Sequence, residues 1–149
     1  FGDVEITEKA AQALLAKCPE HDVVITAESK GIPLAYEMAR IGCRRYVVAR
    51  KGIKAYMRNP IHVEVKSITT DHIQKLYLSE DDCAALKEKR ILIVDDVIST
   101  GESLAALEEL LAQIGGNVVG RACVLAEGDA AERDDILFLE PLPLFFKEK

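Results

Sequence analysis

The chain has 149 residues, of which 49% are apolar, and its net charge at pH 7 is −6. These values predict one folded domain over residues 1–149 and argue against a disordered chain or a nucleic-acid-binding surface. No apolar run approaches the length of a membrane span, and no signal-peptide pattern occurs. We therefore expect no membrane partner and a cytoplasmic location.

The four cysteines are scattered along the chain and form no CxxC pair. No histidine lies at metal-ligand spacing from any of them. This pattern favours reduced thiols in or near the core of a cytosolic protein over a zinc site.

Predicted strands and helices alternate along the chain. Helices are predicted where apolar residues recur at helical spacing, over residues 6–17, 31–42 and 103–116. Strands are predicted where short apolar runs occur, over residues 23–26, 46–49, 91–96, 117–127 and 136–145. Thr7 and Gly42 are cap candidates, the alternating residues 63–79 suit a hairpin, and residues 128–135 indicate a charged surface turn. This order predicts an α/β domain with a mostly parallel central sheet flanked by helices.

Three polar loops follow predicted parallel strands, so they should meet at one edge of the sheet, where ligands bind in such folds. The first loop, residues 27–31, precedes a helix. Ser29, Lys30 and Gly31 would offer N–H groups, a hydroxyl and a cation to an anion there. An ordinary turn capped by Ser29 or Glu28 explains the same residues.

The second loop, residues 49–58, carries Arg50, Lys51, Lys54 and Arg58 in an otherwise acidic chain. These cations repel one another, and a polyanionic ligand would relieve that repulsion. A solvated basic loop is the alternative.

The third loop follows a predicted buried strand that ends in two carboxylates, Asp95 and Asp96. A buried carboxylate is costly unless it accepts hydrogen bonds or lies near a cation. Residues 98–103 then offer N–H groups and hydroxyls for a monophosphate, and Gly101 permits close approach. The spacing fits a sugar phosphate whose vicinal hydroxyls donate to the two carboxylates.

Residues 91–103, ILIVDDVISTGES, resemble the phosphoribosyl-pyrophosphate signature of type I phosphoribosyltransferases. The adenine and xanthine branch is the most similar, since AESKG at 27–31 resembles its pyrophosphate loop. VVARKGIKAY at 47–56 likewise resembles its Arg-Lys segment. The resemblance covers roughly residues 22–125 and implies the type I phosphoribosyltransferase fold with a flexible hairpin loop and a reduced hood.

The resemblance also implies roles for individual residues. Asp95, Asp96 and Arg50 would be the catalytic residues, the two carboxylates binding the ribose hydroxyls. The 5′-phosphate would be held, mostly through backbone, by Ser99, Thr100, Gly101, Glu102 and Ser103. The pyrophosphate would be bound by Glu28, Ser29, Lys30, Gly31, Arg50, Lys51 and Lys54, in a loop that often contains a cis peptide.

Residues 54–75 would form the loop that closes over the site. Mg²⁺ would bind mainly through the substrate, with no direct protein ligand, and a homodimer is expected. Two positions depart from the family pattern. Glu102 places a carboxylate beside the phosphate loop, so its side chain must point away, and His72 stands near the position of a family glutamate.

The implied function is a glycosyltransferase (pentosyltransferase) of purine salvage. It would move ribose 5-phosphate from phosphoribosyl pyrophosphate to a purine base, adenine being favoured and xanthine or hypoxanthine remaining open. The alternative is a non-catalytic regulatory domain of the same fold that senses phosphoribosyl pyrophosphate. A phosphoribosyl-pyrophosphate synthetase-like protein would need a longer chain with an ATP-binding half.

Overall fold

The computed structural model describes residues 2–66 and 73–143 of the chain. Its helices, in chain order, are α1 (Val4–Leu15), α2 (Ile32–Ile41), α3 (Glu80–Leu86) and α4 (Glu102–Gln113). Its strands are β1 (Val23–Ala27), β2 (Tyr46–Ala49), β3 (Ile61–Lys66), β4 (Ile73–Leu78), β5 (Arg90–Ile98), β6 (Asn117–Glu127) and β7 (Leu137–Leu142). Within the described ranges, no helix is long and apolar enough to cross a membrane.

The central sheet has the strand order β2-β1-β5-β6-β7, and every neighbouring pair in it is parallel. β2 lies outside β1, whereas β6 and β7 lie outside β5, so the sheet extends in opposite directions from the β1–β5 pair. Ligands bind outside the carboxyl ends of the strands at such a switch point. The sheet confirms the predicted α/β architecture and gathers the loops after β1, β2 and β5 at one edge.

Strand β5 is apolar without alternation because both of its faces are buried. Ile91 and Ile93 pack in a cluster that includes the apolar face of α4. Leu92 and Val94 pack on the other face in a cluster that includes α1 and α2. Burial on both faces of a parallel strand explains the continuous apolar run and fixes β5 in the centre of the domain.

The hairpin predicted for 63–79 is present as the antiparallel pair β3–β4. It is joined to the loop after β2 through Arg50 and Tyr77, whose backbone groups exchange hydrogen bonds of 3.0 and 2.8 Å. His72 lies outside the described residues. That residues 54–75 close over the site, and that the hood is reduced, stay predictions.

Three local predictions were wrong in detail. Helix α1 starts at Val4 because the Asp3 carboxylate caps it by accepting from the Ile6 N–H at 3.1 Å. Thr7 is therefore inside the helix, and its hydroxyl donates to the Asp3 carbonyl oxygen. Strand β5 continues to Ile98 because its pairing with β6 extends that far. Residues 128–135 are more than a surface turn, since they form a 3-10 helix over Gly128–Glu132 with Ala130 in the core.

Candidate active site

A cavity of about 190 Å³ lies at the carboxyl end of β5, between that strand and the first turn of α4. It is lined by Ile93, Asp95, residues 97–104 and Leu107. The polar residues of this wall are the ones that the sequence analysis expects to hold a sugar phosphate. The cavity thus unites Asp95 with the whole of the predicted phosphate loop.

The phosphate loop ends at the N-terminus of α4. Gly101 is the residue before the helix and adopts φ +81°, a left-handed conformation that favours glycine. With no side chain of its own, Gly101 cannot cap the helix. The Thr100 hydroxyl accepts from the Glu102 N–H at 3.4 Å, and the positive end of the helix dipole lies at this loop, an arrangement that suits a phosphate.

Ser99 contacts a residue that the sequence analysis did not single out. Its hydroxyl donates to a carboxylate oxygen of Glu127 at 2.8 Å, so its one O–H donor is already used. Any contribution of Ser99 to phosphate binding in this state comes from its backbone. Glu127 is the last residue of β6, next to β5 in the sheet, so the argument from strand ends could have found it.

Asp95 and Asp96 are the sixth and seventh of the nine residues of β5, and both are partly buried. The Asp95 carboxylate accepts from the Asp96 N–H at 2.8 Å. Burial raises the pKa of Asp95 to about 7. A hydrogen bond that protonated Asp95 donates to the Asp96 side chain and the Asp96 charge act in the same direction, whereas the Asp96 N–H and Lys51 oppose them. Negative charge is therefore concentrated beside the cavity and costs folding free energy until a ligand donates to it.

The loop after β1 packs directly against Asp95. Its Glu28–Ser29 peptide is cis, as the resemblance implied. A Cβ placed on Gly31 would lie 2.6 Å from the hydroxyl oxygen of Thr26 and 3.1 Å from a carboxylate oxygen of Asp95. Only glycine fits there, so its absent side chain lets the loop after β1 and Asp95 lie side by side.

Glu28 organises the basic loop. One of its carboxylate oxygens lies 3.3 Å from the Lys51 N–H and 3.9 Å from the cationic groups of both Arg50 and Lys54. Glu28 therefore holds the cations of this loop close to the loop after β1. That Glu28 itself belongs to the pyrophosphate-binding set stays a prediction.

The remaining predicted residues lie at the margins of the site. Ser29 and Lys30 are exposed beside the buried Gly31, within reach of solvent. Arg58 is exposed as well. The structure thus brings together the cavity, the two carboxylates and the loop predicted to bind pyrophosphate, with the cations of 50–54 bordering them.

Because Gly31 lies so close to Thr26 and Asp95, adding one methyl group at this position should destabilise the fold. Gly31→Ala should lower the free energy of unfolding by about 1–3 kcal/mol, because the new Cβ overlaps Thr26 and crowds Asp95. Thermal and denaturant unfolding measure this cost. Gly52→Ala is the matched control because no atom lies within 4 Å of its added Cβ, and it should be nearly neutral. Thr26→Ala should restore part of the loss in the double variant; equal losses in Gly31→Ala and Gly52→Ala would refute this packing.

The raised pKa of Asp95 predicts a pH-dependent stability effect. Between pH 3.8 and about 7 the folded protein binds more protons at this position than the unfolded chain, so stability falls as pH rises through that window. Asp95→Asn removes the penalty and should raise the free energy of unfolding at pH 8, on the order of 2 kcal/mol, with a smaller effect at pH 5.

Asp22→Asn provides a control of opposite sign for this titration. Hydrogen bonds from Arg90 lower the pKa of Asp22 to about 2, so its carboxylate stabilises the fold above its ordinary pKa. The Asn variant should therefore lose stability at pH 7. Chemical denaturation from pH 5 to 8 measures both effects. A pH-independent difference between Asp95→Asn and wild type would contradict the assigned titration.

Comparison with known proteins places this site in a family. The family model described as "Phosphoribosyl transferase domain" matches residues 2–142. The hypoxanthine/guanine phosphoribosyltransferase of Methanococcus voltae is 35% identical over 115 residues, which cover 75% of this chain and 56% of that protein. The "Probable purine biosynthesis transcriptional regulator PurR" of Streptococcus pneumoniae is 31% identical over 114 residues, 76% of this chain and 40% of the regulator.

Among solved structures, the adenine phosphoribosyltransferase of Rhodothermus marinus superposes with a TM-score of 0.78. It is 24% identical and covers 95% of this chain and 82% of its own, a likeness that concerns the fold. The chain spans about half the length of the curated relatives described above. The family match over nearly the whole chain is decisive: the protein belongs to the phosphoribosyl transferase domain family, and its fold is that of the type I phosphoribosyltransferases.

Proposed function

We propose that the protein transfers ribose 5-phosphate from phosphoribosyl pyrophosphate to a purine base and releases pyrophosphate. The observation that carries this proposal is the contact between Gly31 and Asp95. It sets the loop after β1 beside Asp95, which lines the cavity of about 190 Å³. The 5′-phosphate, the ribose and the pyrophosphate of the donor would then each lie beside a different group of residues.

The donor is oriented by three contacts. Its 5′-phosphate lies at the first turn of α4, where N–H groups and the helix dipole favour an anion. Its two ribose hydroxyls donate to Asp95 and Asp96. Its pyrophosphate lies against residues 28–31, with Arg50 and Lys51 neutralising the charge that develops on the leaving group.

In the reaction, a purine ring nitrogen forms a bond to the anomeric carbon as the bond from that carbon to the pyrophosphate oxygen breaks. The bonding electrons leave with pyrophosphate, and the purine gives up its ring proton. The anomeric carbon becomes electron-poor in between, and the carboxylates of Asp95 and Asp96 stabilise that positive charge. Closure of the loop predicted for 54–75 would exclude water from the electrophilic carbon.

The donor atoms at the site fit a magnesium ion bound with the substrate. Carboxylate oxygens of Asp95 and Asp96 are hard ligands of the kind that Mg²⁺ accepts, together with phosphate oxygens and water. Within residues 2–66 and 73–143, no three His, Cys, Asp or Glu side chains are grouped to hold a metal by themselves. When bound, the ion would supply positive charge to the departing pyrophosphate.

The acceptor is a purine base, and its identity has two candidates with independent support. Adenine is favoured by the similarity of residues 27–31 and 47–56 to the adenine and xanthine branch. Hypoxanthine and guanine are favoured by the Methanococcus voltae relative. We keep adenine as the first choice, with hypoxanthine, guanine and xanthine to be compared directly.

A second candidate function is a regulatory domain that binds phosphoribosyl pyrophosphate without turning it over. The regulator from Streptococcus pneumoniae supports it, since that relative matches three quarters of this chain. Arg50 and Lys51 favour the enzyme, because these cations act on a leaving pyrophosphate.

Turnover separates the two candidates. With phosphoribosyl pyrophosphate, Mg²⁺ and each purine base, the enzyme should form nucleotide and pyrophosphate in equal amounts, measured by chromatography and a pyrophosphate assay. Asp95→Asn with Asp96→Asn should weaken donor binding about 100-fold or more, because two hydrogen bonds to charged groups are lost. Asp22→Asn, at the opposite end of β5, is the control and should keep wild-type binding. Donor binding without turnover of any base would favour the regulator.

We further propose that the protein forms a homodimer through the β2 edge of the sheet. Tyr36 and Tyr46 contact each other edge to face at 5.8 Å and are both exposed, and Ile53 and Tyr56 follow in the adjoining loop with about two thirds of their surfaces exposed. A second copy covering this apolar edge would remove it from water.

Sedimentation velocity tests the dimer. The wild-type chain should sediment with twice the mass of one chain, and Tyr36→Glu with Tyr46→Glu should shift it to the monomer, because buried charges oppose association. Val4→Glu alters an even more exposed apolar residue, on α1, and should leave the dimer intact. A monomeric wild type at micromolar concentration would refute the proposal.

A further inference from the structure

Arg133 reaches the phosphate loop from a part of the sequence predicted to be a surface turn. It directly follows the 3-10 helix Gly128–Glu132, after the carboxyl end of β6. Its Nη1 atom lies 2.9 Å from the position that a Cβ would take on Gly101. Gly101 is the residue immediately before α4, so the guanidinium lies at the N-terminus whose N–H groups form the phosphate loop.

Asp135 fixes the orientation of this guanidinium. It accepts from Nε at 2.9 Å and from Nη2 at 2.7 Å, a paired contact of the kind that planar guanidinium and carboxylate groups favour. These bonds occupy one edge of the guanidinium. The remaining nitrogen, Nη1, with two N–H donors, is the one directed to Gly101.

The negative charges around the cavity explain why a donor at Nη1 of Arg133 would matter for an anionic ligand. Asp95 and Glu102 are carboxylates in the cavity wall, and Glu127 contacts Ser99 within it. A phosphate dianion entering this wall meets negative charge, which the partial charge of a helix N-terminus offsets only in part. Arg50 and Lys54 lie beside Glu28 in another loop, whereas Arg133, ion-paired with Asp135, places guanidinium N–H donors at the phosphate end.

We propose that Arg133 binds the 5′-phosphate of the donor and of the nucleotide product, and that Asp135 is its positioning residue. This inference rests on the proposed function, because it assigns a ligand to the same cavity. The 5′-phosphate would thus be bound by the Arg133 side chain, from the β6–β7 connection, in addition to the backbone of residues 98–103.

Isothermal titration of the full chain with ribose 5-phosphate tests the proposal, because this probe carries the 5′-phosphate and no pyrophosphate. Arg133→Ala should weaken its binding about 10- to 100-fold, as expected for a charge-assisted hydrogen bond. Arg133→Lys should lose less, since it keeps the charge. Asp135→Ala should lose less than Arg133→Ala, and Asp135→Glu should recover part of that loss.

Arg90→Ala is the matched control. Arg90 donates to Asp22 through Nε and Nη2 in the same paired manner, at the opposite end of β5. It should keep ribose 5-phosphate affinity within about twofold of wild type. The salt dependence of binding provides a readout that a purely structural role would not change: affinity should fall less steeply with salt in Arg133→Gln than in wild type.

Three outcomes would overturn the inference. One is wild-type affinity in Arg133→Ala, and another is an equal loss in Arg133→Ala and Arg90→Ala. The third is an unchanged salt dependence in Arg133→Gln. If Arg133→Ala does not fold, as judged by circular dichroism, the Gln and Lys variants decide by the same criteria. Failure of the wild-type chain to bind ribose 5-phosphate would sink the proposed function together with this inference, whereas binding that is insensitive to Arg133 would sink this inference alone.

Discussion

The close approach of Gly31 to Asp95 is the constraint on which the rest of the site depends. Parallel strands β1 and β5 are neighbours, so the loop after β1 and the end of β5 must share one small volume. A side chain at position 31 would overlap Thr26 and crowd Asp95. With glycine there, the loop that precedes α2 packs against the carboxylate. A pyrophosphate and a ribose bound to these two elements would be adjacent, as they are in the proposed donor.

The charges of the site are arranged for a ligand with anions at both ends and hydroxyls between them. Burial and Asp96 raise the pKa of Asp95 because they disfavour its charged form, and hydroxyl donors would stabilise that form. Cations border this centre in two separate groups. Arg50 and Lys54 gather around Glu28 on one side, and Arg133 is held by Asp135 on the other. This distribution matches a pentose with a phosphate at one end and a pyrophosphate at the other.

The sequence predicted the parts of the site that are contiguous along the chain. Residues 91–103 contain a strand, two carboxylates and a phosphate loop, and their order alone determines their arrangement at the edge of a parallel sheet. The contacts of Glu28 with the basic loop, of Glu127 with Ser99 and of Arg133 with Gly101 were missed, because each joins residues distant in sequence. Those contacts are set by strand order and side-chain torsions, which periodicity does not report. Helix α1 was misplaced by two residues for a local reason: Asp3, and not Thr7, caps it.

A structure of the protein in complex with phosphoribosyl pyrophosphate and Mg²⁺ tests the central claim most directly. The account predicts the 5′-phosphate at the first turn of α4 and the ribose hydroxyls within hydrogen-bond distance of Asp95 and Asp96. It also predicts the pyrophosphate against residues 28–31. A donor molecule bound away from the carboxyl ends of β1 and β5, or bound there with its two phosphate ends exchanged, would contradict it.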